Sequence, residues 1–169
     1  MDFKNLLFDS SKLVADYVVK QIGNDPKKFA LLFDFVLENH PRYSARAAGV
    51  LYKLDDTYPE LILPFLVPII RNLSIQNTSI LRAFLRILSR HVNQLNEEQF
   101  GILLDLSFNI LLDPKSEAAH QAYSMHILYE MYKVEPQIKD ELRDSIDAIL
   151  EFTSSGVKNL GKKILRKLN

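Results

Sequence analysis

No cysteine and no tryptophan occur among the 169 residues, glycine appears only five times, and apolar runs are short. The missing cysteines exclude disulfides, thiolate zinc sites, iron–sulfur ligation and a cysteine nucleophile together, and they fit a reducing compartment. The five glycines are scattered, so there is no GxGxxG, no Walker loop and no GxSxG elbow, and no loop to cradle a phosphate. Near the start, Leu6-Leu7-Phe8 runs into Asp9, too short for the core of a signal peptide. No stretch approaches the roughly 20 apolar residues of a membrane span. A cytoplasmic, membrane-free protein is expected.

The residues that are present offer little for catalysis. Of the four histidines, His120 and His126 are six apart, which is not the i,i+4 spacing that puts two ligands on one helical face. No metal and no cofactor are expected. The carboxylate pairs Asp55-Asp56, Glu97-Glu98 and Asp140-Glu141 fall at expected helix ends, where capping and the helix dipole explain them. Tyr123, Tyr129 and Tyr132 share one helix and read as the edge of a core. No catalytic residue and no small-molecule substrate can be assigned, so a non-enzyme is expected.

Helical periodicity runs through the chain. Phe29, Leu32, Phe33, Val36 and Leu37 share a face, as do Leu81, Phe84, Leu85, Leu88 and Val92, and Phe100, Leu103, Leu104, Phe108 and Leu111. Further rows run through Ala47, Val50, Leu51 and Leu54, through Ile138, Leu142, Ile146 and Ile149, and through Val157, Leu160, Ile164 and Leu168. Asp25-Pro26, Asn39-His40-Pro41, Tyr58-Pro59, Asp113-Pro114 and Glu135-Pro136 punctuate them. The pattern predicts about eight helices in about four antiparallel hairpins, forming a single domain over 1–169. It also repeats. ARAAGVLYKLDDTYP, from Ala45, aligns with AYSMHILYEMYKVEP, from Ala122, so that Leu51-Tyr52 falls on Leu128-Tyr129 at an offset of 77. Leu81 to Val92 lies about halfway, a period of roughly 40 with two helices per unit.

The segment Pro41 to Leu66, PRYSARAAGVLYKLDDTYPELILPFL, resembles a HEAT repeat, with small residues Ala45, Ala47 and Ala48 on a second helix and Pro-Glu-Leu opening the next unit. Ala45, Ala48 and Gly49 are expected to let helices approach closely. The resemblance implies an all-α fold, a right-handed α-α superhelix of the HEAT-like solenoid kind. It also implies that Pro64 and Pro68 sit early in an outer helix and bend it. Lys115 to Leu168, through Ala122-Tyr123-Ser124-Met125-His126 and Lys163-Ile164-Leu165, is similar to short bacterial HEAT-like proteins sometimes labelled adenylosuccinate lyase. That label does not transfer, because the chain is too short and lacks the Gly/Ser-rich signature loop of the lyases. The motifs specify packing, so they carry fold further than function.

Net charge is balanced, 21 basic against 21 acidic residues, but its distribution is not. The expected first helices (26–39, 60–74, 97–112 and 137–153) carry a net −6. The expected second helices (41–56, 78–93, 115–133 and 157–168) carry 13 basic and 4 acidic residues, a net +9. By resemblance, second helices line the concave surface. Arg42 with Arg46, the row Arg82, Arg86 and Arg90, and the row Lys158, Lys162 and Arg166 are therefore the candidate binding groove. The expected function is a non-catalytic scaffold whose basic groove engages a protein or acidic peptide. The alternative is nucleic-acid binding, as in the HEAT-like glycosylases that excise alkylated bases. Those enzymes use tryptophans, which this chain lacks.

Overall fold

The structure is a computed structural model that describes residues 1–75 and 77–169. The described residues form helices and turns without a strand, in two compact units, Met1–Ile87 and Leu88–Asn169.

Unit 1 opens with a single helical turn, α1 (Phe3–Leu6), and then α2 (Lys12–Ile22), which starts where the Ser11 hydroxyl accepts the Val14 N–H at 3.2 Å. α3 (Pro26–Leu37) is capped by Asp25, whose carboxylate takes the N–H groups of Lys27 and Lys28 ahead of a proline in the first turn. Asn39 turns the chain in the left-handed region (φ 50°). α4 (Ser44–Thr57) then returns antiparallel to α3 and also packs against α2. Its Ser44 hydroxyl ties the turn by accepting from His40 N at 2.7 Å and donating to the Phe35 carbonyl at 3.0 Å. After two 3-10 turns and α5 (Leu66–Arg71), the side chain of Asn77 caps α6 (Thr78–His91), inside which the unit ends.

A ring cluster holds unit 1 together. Phe65 lies 5.2 Å from Phe29 and 4.7 Å from Phe33, and Phe33 stacks on Phe84 at 6.1 Å. Phe29 and Phe84 are fully buried. Phe3 joins from α1 by packing on Phe35 at 5.3 Å.

Unit 2 continues from the end of α6 into α7 (Glu97–Leu112), which begins with a reciprocal capping box between Asn96 and Gln99. Asp113 and Pro114 make a tight turn, with the Asp113 carboxylate accepting the Lys115 N–H at 2.9 Å. α8 (Ala118–Val134) packs on α7, α9 (Lys139–Ile149) packs on α7, and α10 (Ser155–Leu168) packs on both α8 and α9. The result is two layers, α7 with α9 and α8 with α10.

Three expectations change. Among the described residues ten α-helices stand where about eight are expected, because α1 and α2 precede the first apolar row and show only sparse buried positions, Val14, Val18 and Ile22 on α2. The expected helix over 60–74 is instead two 3-10 turns, Pro59–Leu61 and Leu63–Phe65, followed by the short α5, so Pro64 falls in a 3-10 turn and only Pro68 of the two lies in an α-helix. Proline lacks the N–H that an unbroken helix would use there. Finally, Gly49 does not serve close packing. A Cβ built on it would meet nothing within 4 Å. The close approach is at Gly161, where a Cβ would come within 3.0 Å of Ile146 Cγ2 and Leu150 Cδ2.

Two substitutions test this packing. Phe84→Ala should lower unfolding free energy by about 3–5 kcal/mol in a urea melt. A loss below about 1 kcal/mol would mean that the ring cluster is not the core of unit 1. Gly161→Ala should also destabilise: overpacking against the fully buried Ile146 costs about 1–3 kcal/mol, more than the roughly 1 kcal/mol of helix propensity gained. A thermal melt with an unchanged or raised midpoint would contradict that.

Candidate functional site

α4 and α8 are each covered on two sides, so one strip of each meets solvent. On α4 the strip is Ala45, Arg46, Gly49, Tyr52, Lys53 and Asp56, and on α8 it is Ala122, Tyr123, His126, Tyr129, Glu130 and Lys133. Both follow helical spacing, and they coincide at the offset of 77, Tyr52 on Tyr129. Of the charged residues expected from the sequence, Arg46 lies on the α4 strip and Arg86 reaches it through Asp56 and Tyr52.

In unit 1, Arg42 is exposed in the turn ahead of α4, because the helix begins at Ser44 and not near residue 41. Arg42 and Arg46 are therefore not one helical row. They flank a ring instead, with guanidinium carbons 5.4 Å and 6.0 Å from the centre of Tyr43. Arg46 is half-buried and donates from Nη1 to the Leu7 carbonyl at 2.8 Å, which ties the α1–α2 connection to α4. Lys53 ties α4 to α2 a second time through Asp16. Arg82 is exposed. One turn on, Arg86 pairs with Asp56 at 2.8 Å and lies 4.2 Å over the Tyr52 ring, so it links α6 to α4.

In unit 2, Arg90 is exposed in the last turn of α6. Lys158 is half-buried, while Lys162 and Arg166 are exposed on the same face of α10, Arg166 Nε donating to the Lys162 carbonyl at 3.3 Å. α10 carries a second cationic row. Lys167 Nζ lies 5.1 Å from the Tyr129 ring centre, and Lys133 of α8 lies 4.9 Å from the same ring. Lys163 and Lys167 also act on His126.

His126 is exposed as a residue, but partial burial of its ring lowers its pKa below the ordinary imidazole range. Glu130 opposes this, and Lys163 and Lys167 push the value down again. In unit 1, Asp9 is held below the usual carboxylate range by the Ser11 hydroxyl and the Ser11 backbone N–H, with a smaller pull from Arg46.

The residues left out of the candidate groove are thus Tyr52, Lys53, His126, Tyr129, Lys163 and Lys167. The matched pair Leu51-Tyr52 and Leu128-Tyr129 was the available signal. Leu51 and Leu128 are fully buried, so the tyrosine beside each lies about 100° round the helix, at the edge of the open strip.

Among the described residues, no group of three histidines or carboxylates converges as a metal donor set, and no helix is long and apolar enough to cross a membrane. The fold is an all-α solenoid of packed helical hairpins with open, charged second-helix strips. The chain belongs to the HEAT repeat domain family, whose model matches residues 4–168. HEAT repeats commonly mediate protein interaction and are generally non-catalytic scaffolds. No curated protein and no solved structure matches the chain.

A neutral His126 is the form that the folded chain favours. Below about pH 6.5 the unfolded chain takes up the proton more readily than the folded one, so stability is complete above that pH and falls as pH drops toward the folded-state value. The melting midpoint of the wild type should therefore fall more between about pH 6.5 and 5 than that of His126→Gln. In an NMR titration, Lys163→Gln with Lys167→Gln should move the His126 midpoint upward. An unmoved midpoint would remove α10 from the environment of His126.

Proposed function

We propose that this HEAT-repeat chain is a non-catalytic scaffold that binds an acidic protein or peptide segment on the solvent-facing strips of its second helices. The observation that carries the reading is the composition of two helices. α6 bears three arginines and no acid, and α10 bears five cations and no acid. Arg82 in unit 1 and Arg90, Lys162 and Arg166 in unit 2 are all exposed. A concentration of one charge sign on solvated helices attracts the opposite sign and speeds its encounter. By contrast α7, a first helix, has three acids and no base.

Not every cation is available to a partner. Arg86 is engaged with Asp56 and Tyr52, and Arg46 with Leu7, so these two shape the strip in unit 1 more than they attract. Arg82, Lys162 and Arg166 are the residues assigned to attraction. A location in the cytoplasm accords with the cysteine-free composition.

The test uses a fluorescein-labelled glutamate-rich peptide and a labelled duplex DNA, followed by anisotropy. The peptide should bind, and binding should weaken as salt rises, because exposed charges are screened over about 8–10 Å at ordinary ionic strength. Arg82→Glu with Lys162→Glu should weaken it by about tenfold or more, a change of about 1.4 kcal/mol, while leaving the melting midpoint nearly unchanged. Peptide affinity that is indifferent to the double reversal would overturn the proposal. Duplex DNA binding tighter than the peptide, and lost in the same variant, would replace it with the nucleic-acid reading.

A further inference from the structure

An open cavity of about 590 Å³ lies in unit 1 between the α1–α2 connection, α2 and α4. This is within the range of sites that take small molecules or anchoring side chains, about 300–1,000 Å³. Its apolar lining comes from Leu7, Ala15, Ala45, Gly49 and Tyr52. Lys12, Arg46 and Lys53 also line it, against the single acid Asp9. Two polar ties brace it. Arg46 holds the Leu7 carbonyl at one side, and Lys53 pairs with Asp16 across α2 and α4.

Gly49 is the informative residue. It sits in the interior of α4, where glycine is less favourable than alanine by roughly 1 kcal/mol. The fold does not require it, since its Cβ position has no neighbour within 4 Å and it is not in the left-handed region. What the missing side chain leaves open is the cavity. Tyr52, one turn along, offers a ring to pack against, and Arg86 of α6 sits 4.2 Å over that ring.

The geometry points to this cavity as the anchoring subsite for an apolar side chain flanked by carboxylates in the bound acidic segment. The inference rests on the scaffold reading given above and adds to it where specificity resides. The apolar side chain enters between α2 and α4 over Ala15, Ala45 and Gly49. Its flanking carboxylates meet Lys12, with Arg46 and Lys53 adding positive charge from the ties they already make to Leu7 and Asp16. This complementarity selects an acidic segment over a basic or neutral one.

Two short labelled peptides of Asp, Glu, Ser and Gly test the assignment, identical except for a central Phe in one and Gly in the other. The Phe peptide should bind the full chain about tenfold or more tightly than the Gly peptide, as expected for filling an apolar pocket. Gly49→Leu should abolish that preference by occupying the space, yet keep the weaker, salt-sensitive binding common to both peptides. Its melting midpoint should equal or exceed that of the wild type. Gly49→Ala, a smaller filling, should reduce the preference in part. Gly101→Leu is the control. That position on α7 in unit 2 also has nothing within 4 Å of its Cβ and lies outside the cavity, so the preference should survive. Equal binding of the two peptides, or a preference that persists in Gly49→Leu, overturns the subsite and leaves the scaffold reading standing. If neither peptide binds, both readings fall.

Discussion

Coverage of the second helices on two sides is the constraint from which the rest follows. α4 packs against α3 and α2, and α8 against α7 and α10. Their buried faces are complete: Ala47, Ala48, Val50, Leu51 and Leu54 on one, Ser124, Met125, Ile127, Leu128 and Met131 on the other, each fully shielded from water. A fully buried side chain of Leu size is worth about 1.5–3 kcal/mol in transfer terms, so these faces are not free to turn. Only the positions one turn apart on the remaining strip can change without touching the core. Any chemistry on these helices is confined to them.

Within the strips, the polar contacts contribute little to stability. A cation over an exposed ring is worth about 0.5–1 kcal/mol, and a surface ion pair about 0–1 kcal/mol, small beside the buried apolar faces of the same helices. Yet the same contact recurs at the matched positions. Arg86 of α6 covers Tyr52 of α4, and Lys167 of α10 covers Tyr129 of α8. In each unit a cation from one second helix sits on a tyrosine of another. The tyrosine is where the helical phase turns from core to solvent, so each contact joins the solvent edge of one second helix to the next.

Much of this was legible in the sequence, and the losses have physical causes. The apolar rows gave the hairpins, because burial imposes a 3.6-residue period that a strand cannot imitate. Asp25-Pro26 and Glu97-Glu98 were readable as helix starts, the first because its side chain satisfies N–H groups that the helix cannot and the second because acids oppose the positive end of a helix. Pro64 was readable as a break from its missing N–H, and became misleading once a continuous outer helix was inferred from resemblance. α2 was missed because its exposed side carries Leu13 and Tyr17, 81% and 53% exposed, which blurs the contrast between its faces. For the candidate site, counting charges located α6 and α10 but could not say which cations were committed elsewhere. That Arg46 reaches back to Leu7 depends on a contact across 39 residues, and no local pattern encodes it. The cavity was invisible for the same reason. Gly49 reads as a close-packing residue until its surroundings are known.

In the scaffold reading proposed above, charge and cavity divide the work of recognition. Exposed cations on α6 and α10 act over a Debye length, reward any acidic surface and discriminate weakly among acidic sequences. A scaffold that relied on them alone would bind by composition. Discrimination needs a contact that one side chain satisfies and another does not, and on the α2–α4 side of unit 1 the lining formed by Leu7, Ala15, Ala45, Gly49 and Tyr52 supplies an apolar surface beside Arg46 and Lys53. The two polar ties that brace it involve the same Arg46 and Lys53 that give it positive charge. The cations there consequently hold the shape of the cavity as well as its sign, so a change to either one alters fit and attraction together. A substitution at Gly49 changes fit and leaves the charge untouched, which makes it a position where the two contributions come apart.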